Sequence, residues 1–193
     1  MLFRSEESLK RLHDGNGRFV AGTSTQITKD AKRRAEVAQG QKPFAIIVGC
    51  SDSRVGPEVV FDQGLGDLFV VRSAGHVVDD VGLGSIEYAV EHLGASLILV
   101  VGHERCGAVA ATVGGGEVHG HLPAIINAIK PAVAKAKGQP GDAVDNAVRA
   151  QVLEVVEQLQ KAGPLLAERV SAGKLRIAGA RYDLDTGLVA VIK

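Results

Sequence analysis

This chain of 193 residues has little net charge, little cysteine and no long apolar run. Lys and Arg together number 22, as do Asp and Glu, so the formal charge is zero. That balance gives no long-range pull toward nucleic acid or an anionic membrane, and neither is expected as a partner. No apolar stretch approaches the ~20 residues that span a bilayer. The opening MLFRSEESLK lacks the apolar core of a secretory signal, so a cytoplasmic location is expected. There are only two cysteines, Cys50 and Cys106, too few for a disulfide framework. In a reducing compartment they are free thiols or metal ligands rather than a bridge. With 46% apolar and 23% charged residues, the length suits one globular domain with a sizeable core.

The chain alternates strand-like and helix-like stretches. Phe44-Ala45-Ile46-Ile47-Val48, Leu68-Phe69-Val70-Val71 and Leu97-Ile98-Leu99-Val100-Val101 are short continuous apolar runs, the pattern of strands buried on both faces. Ile86, Ala89, Val90 and Leu93 recur at helical spacing between the second and third. Val148, Val152, Val155, Val156 and Leu159 do so in a long helix over 144–160, with Asp142 as its N-cap. Leu175-Arg176-Ile177-Ala178 reads as a fourth strand. The Asp185-Thr186-Gly187 turn then leads into a short antiparallel edge strand over 188–192. The expected fold is therefore α/β: a single domain with a mainly parallel four-stranded central sheet, a short antiparallel edge strand and flanking helices. An amphipathic N-terminal helix over 5–20 precedes it, with Ser5 as N-cap and Glu6 and Glu7 in the first turn. The basic cluster at 29–34 reads as a solvated helix face.

Two of the apolar runs end in reactive residues. The first is followed by Gly49-Cys50-Ser51-Asp52-Ser53-Arg54 and the third by Gly102-His103-Glu104-Arg105-Cys106-Gly107. Open α/β sheets bind ligands beyond the carboxyl ends of their strands, where the strand order reverses. If these two strands are neighbours, Cys50, Asp52, His103 and Cys106 converge. Two thiolates and an imidazole suit Zn²⁺, and three protein ligands leave a fourth position open, as catalytic zinc sites require. Cys106 stands where a helix begins, which favours its thiolate. Asp52 either closes the site as a fourth ligand or pairs with Arg54 and leaves it open. Without such neighbours, the cysteines would read as buried small hydrophobes and the Asp52–Arg54 pair as an ordinary loop salt bridge.

Cys50-Ser51-Asp52-Ser53-Arg54-Val55 with His103-x-x-Cys106-Gly107 resembles the signature pair of the β-class carbonic anhydrases. The similarity runs from about Leu9 to the end of the chain, through the 61–72 and 84–90 stretches. It implies one Zn²⁺ per subunit on Cys50, His103 and Cys106, with Asp52 and Arg54 as the catalytic dyad. It implies zinc-dependent reversible hydration of CO₂ to bicarbonate and a proton, by attack of zinc-bound hydroxide. Gln41 would hydrogen-bond a substrate oxygen, from the partner subunit, Phe69 and Tyr88 would line an apolar CO₂ pocket, and the Gly107 N–H would face substrate. The resemblance also implies a homo-oligomer, a dimer or tetramer, with the helical arm over 1–40 packed on a partner.

Some members of the family ligate zinc with the aspartate and hold a regulatory bicarbonate on a Trp, an Arg and a Tyr. Arg72 and Tyr182 match two of these positions, but Ile47 stands at the third and the chain has no Trp. With Gln41, this favours the open type, with Asp52 a ligand only in a closed form. Gly56, where proline is more usual, would loosen the loop after Arg54. His76, His119 and His121 are candidates for proton transfer, His76 at the pocket mouth, while His13 and His92 fall in expected helices. Two further readings keep the same residues: hydrolysis of CS₂-like molecules, and a non-catalytic zinc or thiol sensor. Nucleotide binding is disfavoured, because no Gly-x-Gly-x-x-Gly follows a strand.

Overall fold

A computed structural model describes residues 2–25 and 30–192. Lys29, the first residue of the basic cluster, lies outside them. Five strands form one sheet in the order β2-β1-β3-β4-β5. They are β1 (Ala45–Cys50), β2 (Leu68–Ser73), β3 (Leu97–His103), β4 (Arg176–Tyr182) and β5 (Val189–Ile192). The first four are parallel and β5 is antiparallel to β4, as the patterning predicts. Among the described residues, eight α-helices surround the sheet: α1 (Leu2–Val20), α2 (Ala31–Ala38), α3 (Pro57–Val60), α4 (Asp80–Glu91), α5 (Gly107–Gly114), α6 (Leu122–Ala136), α7 (Ala143–Lys161) and α8 (Leu165–Ser171).

Both faces of the sheet are covered, which is why its central strands are apolar throughout. β1 and β3 are buried at every position. Ala45, Ile47, Leu97 and Leu99 pack in one cluster with Leu12 of α1 and with Val60 and Phe61 at the end of α3. Ile46, Val48, Ile98 and Val100 pack in a second, against Ile86 and Val90 of α4, Val152 and Leu159 of α7 and Leu166 of α8.

Ser5 is not a helix cap. α1 begins three residues earlier, Ser5 is buried within it, and no acidic residue falls in its first turn. The helix is anchored on its own chain: the Asn16 side-chain amide donates to the carbonyls of Val60 and Gly187 at 3.1 and 2.8 Å. Gly15 permits this approach, since a Cβ there would stand 1.9 Å from the Phe61 carbonyl oxygen. The Asp142 cap holds, its carboxylate accepting from the Asp145 amide at 2.7 Å. Gly56 acts as N-cap of α3 with Pro57 following, a local order where the sequence suggests a looser loop. The basic face survives in α2, which buries no residue, although Arg33 donates to the Leu65 carbonyl and pairs with Asp67. Among the described residues, no helix is long and apolar enough to cross a membrane.

Candidate metal centre

β1 lies between β2 and β3, so the chain leaves β1 to one side and returns on the other. The carboxyl ends of β1 and β3 therefore flank the point where strand order reverses. Cys50 is the last residue of β1 and His103 the last of β3. Arg105, in a left-handed conformation with φ 50°, turns the chain back so that Cys106 caps the N-terminus of α5. All three residues are buried, and their ligand atoms lie within 4.8 Å of one another.

The donor set fits a tetrahedral zinc ion. The Cys50 and Cys106 sulfurs are 4.0 Å apart. Two thiolates each ~2.3 Å from one tetrahedral Zn²⁺ stand about 3.8 Å apart. His103 Nδ1 lies 2.8 Å from the Glu104 carbonyl oxygen and donates its proton there. Its Nε2 is buried without a hydrogen-bond partner. An imidazole fixed through Nδ1–H with a bare Nε2 is the tautomer a metal ligand needs.

The electrostatics prepare one thiolate before any ion arrives. A hydrogen bond from Cys106, helped by the amides of Asp52 and Gly75, lowers the Cys50 pKa against the cost of burial. Cys106, the donor of that bond, is pushed up. The Ala108 and Val109 amides at the start of α5 pull the other way.

Asp52 points at the same place, its Oδ2 3.8 Å from His103 Nε2. Both its oxygens are held by Arg54: Nε donates to Oδ1 at 2.9 Å and Nη2 to Oδ2 at 2.7 Å, and the Arg54 amide also donates to Oδ1. These bonds hold the Asp52 carboxyl well below the usual carboxylate range. Arg72 supports the loop from below, donating to the carbonyls of Cys50 and Asp52, each at 2.7 Å. Its guanidinium is thus engaged, and Ile47 and Tyr182 are buried in the core.

The structure brings together Cys50, Asp52, Arg54, His103, Cys106 and, at the first position of α5, Gly107. It does not bring Gln41, Phe69 or Tyr88 to them. Phe69 pairs with Ile46, four residues before Cys50 and roughly 13 Å down the strand. Tyr88 stacks near it, ring centroids 6.5 Å apart, and is 49% exposed. Gln41 precedes β1 and lies at the opposite end of the sheet from Cys50. A parallel strand separates what stands at its two ends, so these residues cannot serve the centre of their own chain. His76 is not at a pocket mouth either, because it is fully buried. His13 is exposed, and His92 packs on Tyr88 at 5.0 Å.

Sequence reasoning misses the groups that brace the ligand loop. Glu104 pairs with Arg181 and accepts from the Leu184 amide at 3.0 Å. Arg105 donates twice to Asp185, at 2.9 and 2.7 Å. Asp183 closes the turn into β5 by accepting from the Thr186 amide, which with the Thr186 hydroxyl lowers its pKa to about 2. The only signal in the sequence is the position of Glu104 and Arg105 between two ligands.

The carbonic anhydrase family model matches residues 45–189. A carbonic anhydrase of Mycolicibacterium smegmatis is 45% identical over 184 residues, covering 93% of this chain and 89% of its own length. Carbonic anhydrase 2 of Mycobacterium tuberculosis is 44% identical over 182 residues, covering 92% and 88%. Among solved structures, the Coccomyxa β-carbonic anhydrase in complex with acetazolamide superposes with a TM-score of 0.73 at 32% identity, covering 85% of this chain and 78% of that one.

Proposed function

The chain belongs to the β-class carbonic anhydrases, and from that premise we propose that Cys50, His103 and Cys106 hold its zinc and that Asp52 and Arg54 form its catalytic dyad. The reaction is the reversible hydration of CO₂ to bicarbonate and a proton. When bound, Zn²⁺ supplies the Lewis acidity that lets a water ionise near neutral pH.

The chain's own residues do the rest. Arg54 fixes both oxygens of Asp52, so the carboxylate is kept from turning onto the metal and the site stays open. A lone pair remains on Asp52 to accept a proton from the attacking water, which aims the oxygen's other lone pair at substrate. The Gly107 N–H, free of any helical acceptor at the start of α5, donates to the oxygen that gains charge as CO₂ becomes bicarbonate.

Gln41, Phe69 and Tyr88 act on the centre of a second copy, in a homodimer. Phe69 and Tyr88 lie beside the free edge of β2, the side on which a copy can be received. The arm over 1–40 joins this contact. A helix as short as α2 with nothing buried is marginal by itself, and a covering subunit supplies the missing burial. Both thiols are free, in keeping with a cytoplasmic location.

One observation carries this reading: two thiols and a bare imidazole nitrogen converge beside a carboxylate held by arginine. Metal analysis with CO₂ hydration by stopped flow tests it. Wild-type protein is expected to hold about one zinc per subunit and to be active, and Cys106→Ser to lose both. Wild-type protein without zinc, or an active zinc-loaded Cys106→Ser, overturns it.

A further inference from the structure

Glu104 stands between two ligand residues, and its backbone already serves one of them. Its carbonyl oxygen takes the Nδ1 proton of His103 at 2.8 Å, the bond that leaves Nε2 bare. Where that carbonyl points decides where the imidazole points. A carbonyl in a loop is free to turn unless something stops its peptide.

Here the peptide is stopped on every side. The Glu104 amide donates to the Tyr182 carbonyl at 3.1 Å, carrying the β3–β4 pairing one residue past His103. Its Oε1 accepts from Arg181 Nη2, and its Oε2 from the Leu184 amide at 3.0 Å. Arg181 is itself held. Its Nε donates to Asp145 in the first turn of α7, and its Nη1 to Asp183 at 3.3 Å. The Arg181 and Glu104 side chains are only 13% and 18% exposed. On the far side of the carbonyl, Arg105 takes φ 50° and pairs with Asp185. Helix α7, strand β4 and the turn into β5 thus close on one peptide.

Two other uses of this cluster fail. Oxygens of Glu104, Asp183 and Asp185 lie within 4.8 Å of one another, as in a cation cage, but Arg181 and Arg105 already supply the positive charge. Stability is not a sufficient purpose either, because a buried ion pair does little better than well-packed apolar side chains. Such a network supplies position. Losing one partner leaves an uncompensated charge, so each group stays where it is.

We infer that Glu104 and Arg181 are positioning residues for His103: their ion pair locks the peptide whose carbonyl takes the Nδ1 proton, and so aims Nε2 at the metal position. Both act through that carbonyl alone. The inference rests on the reading of His103 as a zinc ligand.

The test uses the full chain loaded with zinc or with cobalt(II). In the cobalt protein, proton NMR reads the Nδ1–H of a ligated imidazole as an exchangeable, strongly shifted signal. Wild type is expected to show one such signal in slow exchange with water. Glu104→Gln keeps the shape and sets an N–H against a donor. Arg181→Met removes the guanidinium. Each is expected to shift the signal, to speed its exchange, and to speed zinc loss to a chelator about tenfold or more. The double variant is expected to lose zinc no faster than the worse single one, because both open the same clamp. Asp145→Asn, outside the loop and strand, is expected to move the signal less and in the same direction, which covers a Glu104→Gln or Arg181→Met that does not fold. Asp185→Ala, which frees only the exposed Arg105, is expected to leave the signal in place. A signal unmoved in any of the folded Glu104, Arg181 or Asp145 variants overturns the proposal, as do additive effects in the double variant or an Asp185→Ala that matches Glu104→Gln. Wild-type cobalt protein without the exchangeable signal overturns ligation by His103 itself, and this inference with it.

Discussion

An aspartate two residues from a metal-binding cysteine has two uses, and Arg54 selects between them. With both oxygens engaged by one guanidinium, the proposed role of Asp52 is to orient rather than to ligate. Asp52→Asn is therefore expected to retain zinc while hydration falls about 10²-fold or more; stopped-flow rates on metal-quantified protein decide it, and an unchanged rate removes the dyad from the mechanism. Arg54 also keeps Asp52 ionised in acid. Its hydrogen bonds lower the Asp52 pKa, so the carboxylate persists as pH falls through the ordinary carboxylate range. In Arg54→Met that support is gone, and the Asp52 carboxyl is expected to protonate at higher pH when its titration is followed by NMR of carboxyl-labelled protein. An Asp52 titration that stays in place contradicts this. These residues are legible in the sequence because each follows an apolar run that can only be a buried strand, and a strand's end is where a sheet presents ligands. His76 is not legible: nothing in Ser73-Ala74-Gly75-His76 tells that the ring turns inward.

Among the elements, strands are read more easily than helices. A strand buried on both faces announces itself by composition, whereas α6 hides behind Pro131, which sequence rules take as a stop. It stays helical because Ile129, Ala132 and Ala136 are buried around the proline. α1 begins earlier than its cap-like serine suggests, because burial of Ser5 and Leu12 outweighs capping preference. Its Gly15 looks like a flaw, since Ala in a helix interior is worth about 1 kcal/mol more. The structure reverses that sign. An added Cβ 1.9 Å from the Phe61 carbonyl oxygen meets backbone that cannot rotate away, and overpacking of that kind costs about 1–3 kcal/mol or more. Gly15→Ala is expected to lower the melting temperature, and a gain in stability would show that α1 does not pack here. The loop between His103 and Cys106 offers a contrast. The Arg105–Asp185 pair is exposed, so Asp185→Ala should cost under about 1 kcal/mol. Glu104 is mostly buried and bonds both Arg181 and the Leu184 amide, so Glu104→Gln should cost more than Asp185→Ala in denaturant unfolding.

At the scale of the molecule, the polarity of the parallel sheet matters most. Gln41 precedes the Ala45 end of β1 and Cys50 ends the strand, whose two ends are roughly 16 Å apart. If Gln41 serves a second copy, subunits with different defects should repair each other. Gln41→Ala subunits retain a metal centre, and Cys106→Ser subunits retain the glutamine. Coexpressed hybrids are expected to exceed the summed activity of the two parents, and strict additivity would confine each centre to one chain. The sulfur pair bears on how the protein is handled at the bench. Dialysed against a strong chelator in open air, two buried thiols separated by 4.0 Å can be cross-linked by dissolved oxygen, and the sealed pocket then refuses the ion when it is returned. Stripping the enzyme under argon with a phosphine present should leave it fully rechargeable.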